Sequence, residues 1–340
     1  MKWNEIVTIN KSFLPVCDIK SDDGKYWQTF ICHNDFYQLI KNTINMYQKR
    51  EKSVWLQGTF GSGKTHATTV IKNLLSNELS DINDYIEHAV KDAQAKSALI
   101  NFRKEFKTFP IILKGSYYIN DSKTFDYAIQ QEVVDALRSA NIHESLQNSY
   151  DDMIDRVEKN KTFWNETISN SRLKDEVNDE SELIEELKKY NDSILRLCED
   201  ELTNRGMGVI TSDIIKFLEN TALIVKKYGY NHITLFWDEF TPILEVNKYN
   251  DILMSLQNLS ENIKQGNVFL FIVAHRTPNK NRVLEEDIKK IHDRFELTHY
   301  KMEDVTTYSL LANSIQKTQS YNDYISVSYT HLTLPTKRIV

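Results

Sequence analysis

The 340-residue chain contains only three cysteines, Cys17, Cys32 and Cys198, and no two of them have the paired spacing of a zinc site or a disulfide framework. That usage fits a reducing cytoplasm. No run of 18 apolar residues occurs, and no apolar stretch follows a basic start, which argues against a membrane span and a signal peptide. Glycine is scarce as well. There are nine in all, and three of them (Gly58, Gly61 and Gly63) fall within a single octet.

What is present is enough to bury a core: 41% of the residues are hydrophobic, and the length suits one large α/β domain with additions, or two domains. The net charge of −6 is uneven. Glu144 to Glu201 holds 17 acidic and 8 basic residues, a balance of −9, which leaves +3 for the rest of the chain. A mildly basic body is compatible with nucleic acid, whereas the acidic excursion would repel phosphates.

Residues 1–50 read as a leader, with a short strand at Ile6, Val7 and Ile9, a turn at Ser21–Gly24, and a helix over Asn34–Lys49. Phe36, Leu39, Ile40, Ile44 and Tyr47 recur there at helical spacing, and Asn34 or Asp35 is the expected cap. Ser53–Leu56 is a short buried strand running into a glycine-rich turn, and a helix follows from Gly63 to about Ser76. Phe109–Leu113 reads as another strand. Residues 122–205 form a long polar, helix-favouring region, taken as an insertion, with amphipathic stretches such as Ser181–Leu197. A helix over Ser212–Tyr228 precedes the strand Ile233–Trp237, and a helix over Tyr249–Lys264 leads through Gly266 to the strand Val268–Ala274. Strands apolar on both faces, alternating with helices, predict a parallel sheet covered by helices on both sides. A truncated helical lid is expected over 304–326. From Ser328 to Val340 the style changes and resembles sequencing-adapter translations found at the ends of unrelated chains, so 327–340 are expected to be non-native and the native chain to continue.

Gly58-Thr59-Phe60-Gly61-Ser62-Gly63-Lys64-Thr65 fits G-x-x-x-x-G-K-[ST] in full. Glycines let the backbone wrap so that several N–H groups meet one phosphate, and the following helix adds the positive end of its dipole. Lys64 supplies a mobile charge for the β- and γ-phosphates, and the Thr65 hydroxyl a Mg²⁺ position. His66, next in line, is included among the nucleotide-binding residues. Ile233-Thr234-Leu235-Phe236-Trp237-Asp238-Glu239 ends a buried strand in two carboxylates. In a parallel sheet, strand C-termini and the phosphate loop share one edge, so Asp238 is expected to hold Mg²⁺ from an adjoining strand while Glu239 polarises the attacking water.

The strand Val268–Ala274 ends at His275-Arg276-Thr277, where a polar group would contact the γ-phosphate or the water; His275 is the first candidate and Thr277 the second. Arg294 stands where a guanidinium could reach a neighbouring subunit's γ-phosphate, or where it could simply pair with Asp293 or Glu296. The basic residues Arg276, Lys280, Arg282, Lys289 and Lys290 alternate with Glu285, Glu286 and Asp287, as on a solvated helix face.

The GTFGSGKT loop, the strand ending FWDE, the next strand ending in a polar group, and the DRF followed by another helix together resemble the AAA+ family over roughly residues 50–315. The resemblance implies a P-loop NTPase three-layer α/β/α fold. It also implies ATP and Mg²⁺ as ligands, Lys64, Glu239, His275 and Arg294 as catalytic, and assembly into a homo-oligomer or larger complex. The W-L-Q-G-T-F-G-S-G-K-T-H context is similar to large ATPases of bacterial phage-exclusion (BREX) systems. The expected function is therefore Mg-dependent ATP hydrolysis coupled to remodelling of a macromolecule, in a DNA-related defence complex. The alternative is a slow ATP-binding switch or scaffold that recruits a partner through the helical insertion. A small-molecule kinase lacks a visible acceptor site.

Overall fold

The computed structural model describes residues 7–9, 18–20, 26–50, 52–115, 119–144, 146, 148–207, 213–246, 249–262, 266–275, 289–290, 293–301 and, beyond these, 307–308, 312, 315–318 and 320–321. The expected turn at Ser21–Gly24, Thr277, most of the expected lid and the whole 327–340 tail lie outside the described residues.

In chain order, a short strand β1 (Val7–Ile9) is followed by a 3₁₀ turn at Tyr26–Thr29 and helix α1 (Asn34–Lys49). Strand β2 (Ser53–Gln57) leads through the glycine-rich octet into α2 (Lys64–Ser76), then α3 (Leu79–Ala89), α4 (Ala93–Glu105) and β3 (Thr108–Lys114). Helices α5 (Ser122–Ser139), α6 (Ser149–Lys159), α7 (Lys161–Asn170), α8 (Glu180–Lys188) and α9 (Asp192–Asn204) fill the long polar region. Then come α10 (Ile214–Lys226), β4 (His232–Asp238), α11 (Tyr249–Asn262), β5 (Val268–Ala274), β6 (Phe295–His299) and β7 (Ile315–Lys317).

Strands β2 to β6 form one parallel sheet in the order β3-β4-β5-β2-β6, while β1 and β7 pair antiparallel in a separate ribbon. The pleat sends alternate residues to opposite faces. Val54, Leu56, Phe236, Phe269, Phe271 and Val273 pack with α1 to α4 in one hydrophobic cluster. Trp55, Ile233, Leu235, Trp237, Leu270 and Ile272 pack with α5, α10 and α11 in another. Helices thus cover both faces of the sheet, which explains why β4 and β5 are buried throughout and why β5 is apolar at every position. Among the described residues, no helix is long and apolar enough to cross a membrane.

Several local expectations are corrected. The N-cap of α1 is His33, without a side-chain cap bond; Asp35 instead accepts the backbone N–H of Lys301 at 2.9 Å. The amphipathic stretch Ser181–Leu197 is two helices, divided where Tyr190 takes a left-handed φ of 59° and the Asn191 side chain caps α9 by accepting from Ile194 N–H. The polar region opens with a core helix: α5 sends Phe125, Ile129 and Val133 into the sheet cluster. Helices α6 to α9 bury a third cluster of their own, including Tyr150, Trp164, Leu187 and Leu195, which Tyr127 of α5 joins.

Candidate functional site

The octet links the C-terminal end of β2 to the start of α2 at the edge of the sheet where the parallel strands end. Gly61 and Gly63 take φ of 73° and 84°, a region closed to most side chains, and this lets the chain turn tightly into α2. The first backbone N–H groups of α2 have no partner within the helix, so the loop and helix start form a concave surface of donors. Gly58 N–H is tied to the Ala274 carbonyl at 3.3 Å, fixing the loop to the end of β5, and both Ser62 Oγ–H (2.8 Å) and Ser62 N–H (3.3 Å) bond the Thr59 carbonyl. Lys64 is 4% exposed and lies back across the loop, its ammonium donating to the carbonyls of Gly58 and Thr59 at 2.7 Å each. Burial pushes the Lys64 pKa down, while the Asp238 charge pulls it the other way.

The metal-binding pair expected from the sequence is brought together. Thr65 Oγ1–H donates to Asp238 Oδ2 at 2.8 Å, and Asp238 is 2% exposed. The route differs from the expected one. The strand of Asp238 does not adjoin that of the loop, because β5 lies between β2 and β4. Contact is made because α2, on leaving the loop, packs across β5, β4 and β3 and so carries Thr65 to the end of β4. The other Asp238 oxygen, Oδ1, accepts the backbone N–H of Glu239 at 2.8 Å. Glu239 itself is half-buried with a left-handed φ of 56°.

The intervening strand puts His275 between the loop and the acid pair. Its backbone N–H donates to Thr241 Oγ1 at 3.1 Å, and its ring stacks on that of Phe60, centroids 4.0 Å apart and planes 15° from parallel. Burial and the Lys64 charge lower the His275 pKa, opposed by Asp238 and Glu239. A cavity of about 380 Å³ flanks the loop on the β6 side, lined by Gln57, Gly58, Thr59, His275 and Tyr300 among others. A larger one, about 530 Å³, lies away from the loop between α5 and the helices of the third cluster, at Arg138, Asp151 and Tyr190.

No protein-family model matches the chain, and no curated protein matches it. The residues and their geometry therefore carry the functional reading.

Two predicted site residues face elsewhere. The His66 ring packs against the leader, stacked on Tyr26 at 5.0 Å and edge-on to Phe30 at 5.0 Å. Arg294 precedes β6, whose first residue pairs with Ser53 at the start of β2, so it stands at the sheet edge opposite the loop of its own chain. Neither expected neighbour holds its guanidinium. Glu261 of α11 does, with Nε–H donating to Oε1 at 2.6 Å. Sequence reasoning missed Gly115 and Thr241. An ideal Cβ on Gly115 would lie 2.2 Å from the Glu239 carbonyl oxygen, and Gly115 N–H donates to the Asp238 carbonyl at 2.7 Å. The signal for Gly115 was a rare glycine directly after an apolar strand; for Thr241 there was none.

Among the described residues, no group of three or more His, Cys, Asp or Glu side chains could hold a metal ion. The donor set at Thr65 and Asp238 suits Mg²⁺ nonetheless. That ion is characteristically held by one or two carboxylates together with substrate phosphates and water.

Proposed function

We propose that this protein is a P-loop NTPase that binds ATP with Mg²⁺ and hydrolyses it. The observation that carries the reading is the 2.8 Å hydrogen bond from Thr65 to Asp238, which places a hydroxyl and a carboxylate side by side at the start of the helix that follows a complete G-x-x-x-x-G-K-T loop. Helices packed on both faces of a parallel sheet, with the loop and the acid pair at its C-terminal edge, support the three-layer P-loop fold.

In this reading Lys64 exchanges the carbonyls of Gly58 and Thr59 for the β- and γ-phosphate oxygens, while the backbone N–H groups of the loop surround the β-phosphate. Thr65 and Asp238 would hold the metal, which supplies charge neutralisation on the phosphate oxygens. Glu239 takes a proton from the attacking water as the water oxygen bonds to the γ-phosphorus, and the bond from that phosphorus to the β–γ bridging oxygen breaks. His275 meets the terminal phosphate or the water from the end of β5. Little covalent chemistry falls to the protein beyond positioning and charge stabilisation.

The motif resemblance extends the proposal to an AAA+-type remodeller in a DNA-related phage-defence complex. A finger role for Arg294 would require a second copy of the chain, whose nucleotide takes the guanidinium from Glu261. The separate hydrophobic cluster of α6 to α9 favours a second reading, a slow ATP-binding switch that recruits a partner through those helices.

The test is Mg-ATP binding and phosphate release by the wild-type chain beside Lys64→Ala. Binding and turnover that Lys64→Ala abolishes support the ATPase. Binding followed by slow single turnover that neither DNA nor a partner protein stimulates supports the switch. Equal behaviour of the two chains defeats both.

A further inference from the structure

We propose that Phe60 is a positioning residue for turnover: its ring, stacked on the His275 imidazole, holds that imidazole over the phosphate loop in the orientation from which it meets the terminal phosphate or the attacking water. The proposal rests on the ATP-hydrolysing reading above and names a residue through which that site is aligned.

A phosphate cradle needs backbone donors, a lysine and a hydroxyl; it has no need of an aromatic ring. Phe60 is nonetheless 80% exposed within the octet, so core packing does not account for it. Among the described residues its one ring contact is with His275, 4.0 Å between centroids and 15° from parallel. His275 is fixed at its backbone by Thr241, but its Nδ1 is shut away from solvent and has no hydrogen-bond partner among the described residues. An aromatic face is what then fixes the plane of the ring. An unmet buried nitrogen is unfavourable, and that cost is relieved when an incoming oxygen supplies the partner.

The stack is also placed to respond to nucleotide. Lys64 grips the carbonyls of Gly58 and Thr59, the two residues before Phe60. When its ammonium turns to a phosphate those carbonyls are released, and the segment that carries Phe60 can settle onto His275 in a new position. Among the described residues, the charged groups that face the imidazole are Lys64, Asp238 and Glu239. Phe60 takes no part in bond making and acts through His275.

The experiment compares wild type, Phe60→Ala and Phe60→Tyr, with Mg-ATP as the probe, measuring ATP affinity by calorimetry and kcat across pH. Phe60→Ala is expected to lower kcat about tenfold to a hundredfold, the effect of a misaligned group, with affinity held within about threefold. Its acid limb should move to higher pH, because an uncovered imidazole is better solvated and protonates more readily. Phe60→Tyr keeps a stacking face and is expected to restore both readings. Phe60→Ala with wild-type kcat and acid limb overturns the proposal, and so does a loss of affinity in step with kcat at an unchanged limb. A wild-type chain that neither binds nor hydrolyses Mg-ATP instead overturns the function reading itself.

Discussion

The backbone N–H of Glu239 donates to Oδ1 of Asp238 at 2.8 Å, from a backbone held in the left-handed region at φ 56°. A non-glycine residue pays about 1 kcal/mol for that conformation. Here the turn is pinned on three sides: by that bond, by Phe240 N–H donating to the Val273 carbonyl at 3.0 Å, and by Gly115 N–H donating to the Asp238 carbonyl at 2.7 Å. The consequence is a division of labour between adjacent carboxylates. Asp238 is committed on both oxygens, to Thr65 and to the Glu239 amide, and in the proposed reading this leaves the Glu239 carboxylate for the water.

From this follows the behaviour of Glu239→Gln. The substitution leaves the turn, Asp238 and the loop intact but removes the carboxylate proposed as the base. ATP affinity should stay within a fewfold of wild type while kcat falls about a hundredfold or more. Affinity and single-turnover measurements on the same preparation check it, and hydrolysis at the wild-type rate would remove Glu239 from the base role.

Gly115→Ala tests the same turn from outside the acid pair. The added methyl would meet the Glu239 carbonyl oxygen at 2.2 Å, far inside van der Waals contact, and backbone cannot step aside as the end of a side chain can. Either β3 or the Glu239 turn must shift. The expected result is a destabilisation of about 1–3 kcal/mol together with a fall in kcat larger than the change in ATP affinity. Thermal unfolding and steady-state kinetics report the two effects separately. An alanine variant with wild-type kcat would show that the position of this turn does not govern turnover.

Much of the loop is legible in the sequence alone. The octet is a local signal, because the glycines, Lys64 and Thr65 are neighbours in sequence and their spacing is the motif. The apolar runs of β4 and β5 were legible because strands covered on both faces need no polar alternation. What failed to show were long-range choices. Nothing in 233–239 or 268–274 says which strand pairs with β2, so the placement of β5 between the loop and Asp238 could not be read. The sequence offers Arg294 its neighbours Asp293 and Glu296, yet its partner is Glu261, 33 residues away. The division at Tyr190 was hidden because the amphipathic period continues across it. Capping by Asn191 decides the break, and an Asn inside a polar stretch is a weak mark.

Asp126 offers a stability test independent of nucleotide. It is half-buried on α5, its Oδ1 has no hydrogen-bond partner among the described residues, and burial together with the Asp213 charge pushes its pKa up to about 7 from an ordinary 3.8. Between those values the folded chain holds a proton that the unfolded chain releases, so stability from this group is fully present below about pH 4 and is lost as pH rises through about 7. Asp126→Asn stays neutral throughout and removes that loss. The variant should match wild type near pH 4 and exceed it by about 1–3 kcal/mol near pH 8, the cost of a buried, poorly compensated charge. Denaturant unfolding at the two pH values measures the difference, and an advantage that is equal at both, or larger at the acidic one, would show that the Asp126 carboxyl does not ionise within the folded protein in this range.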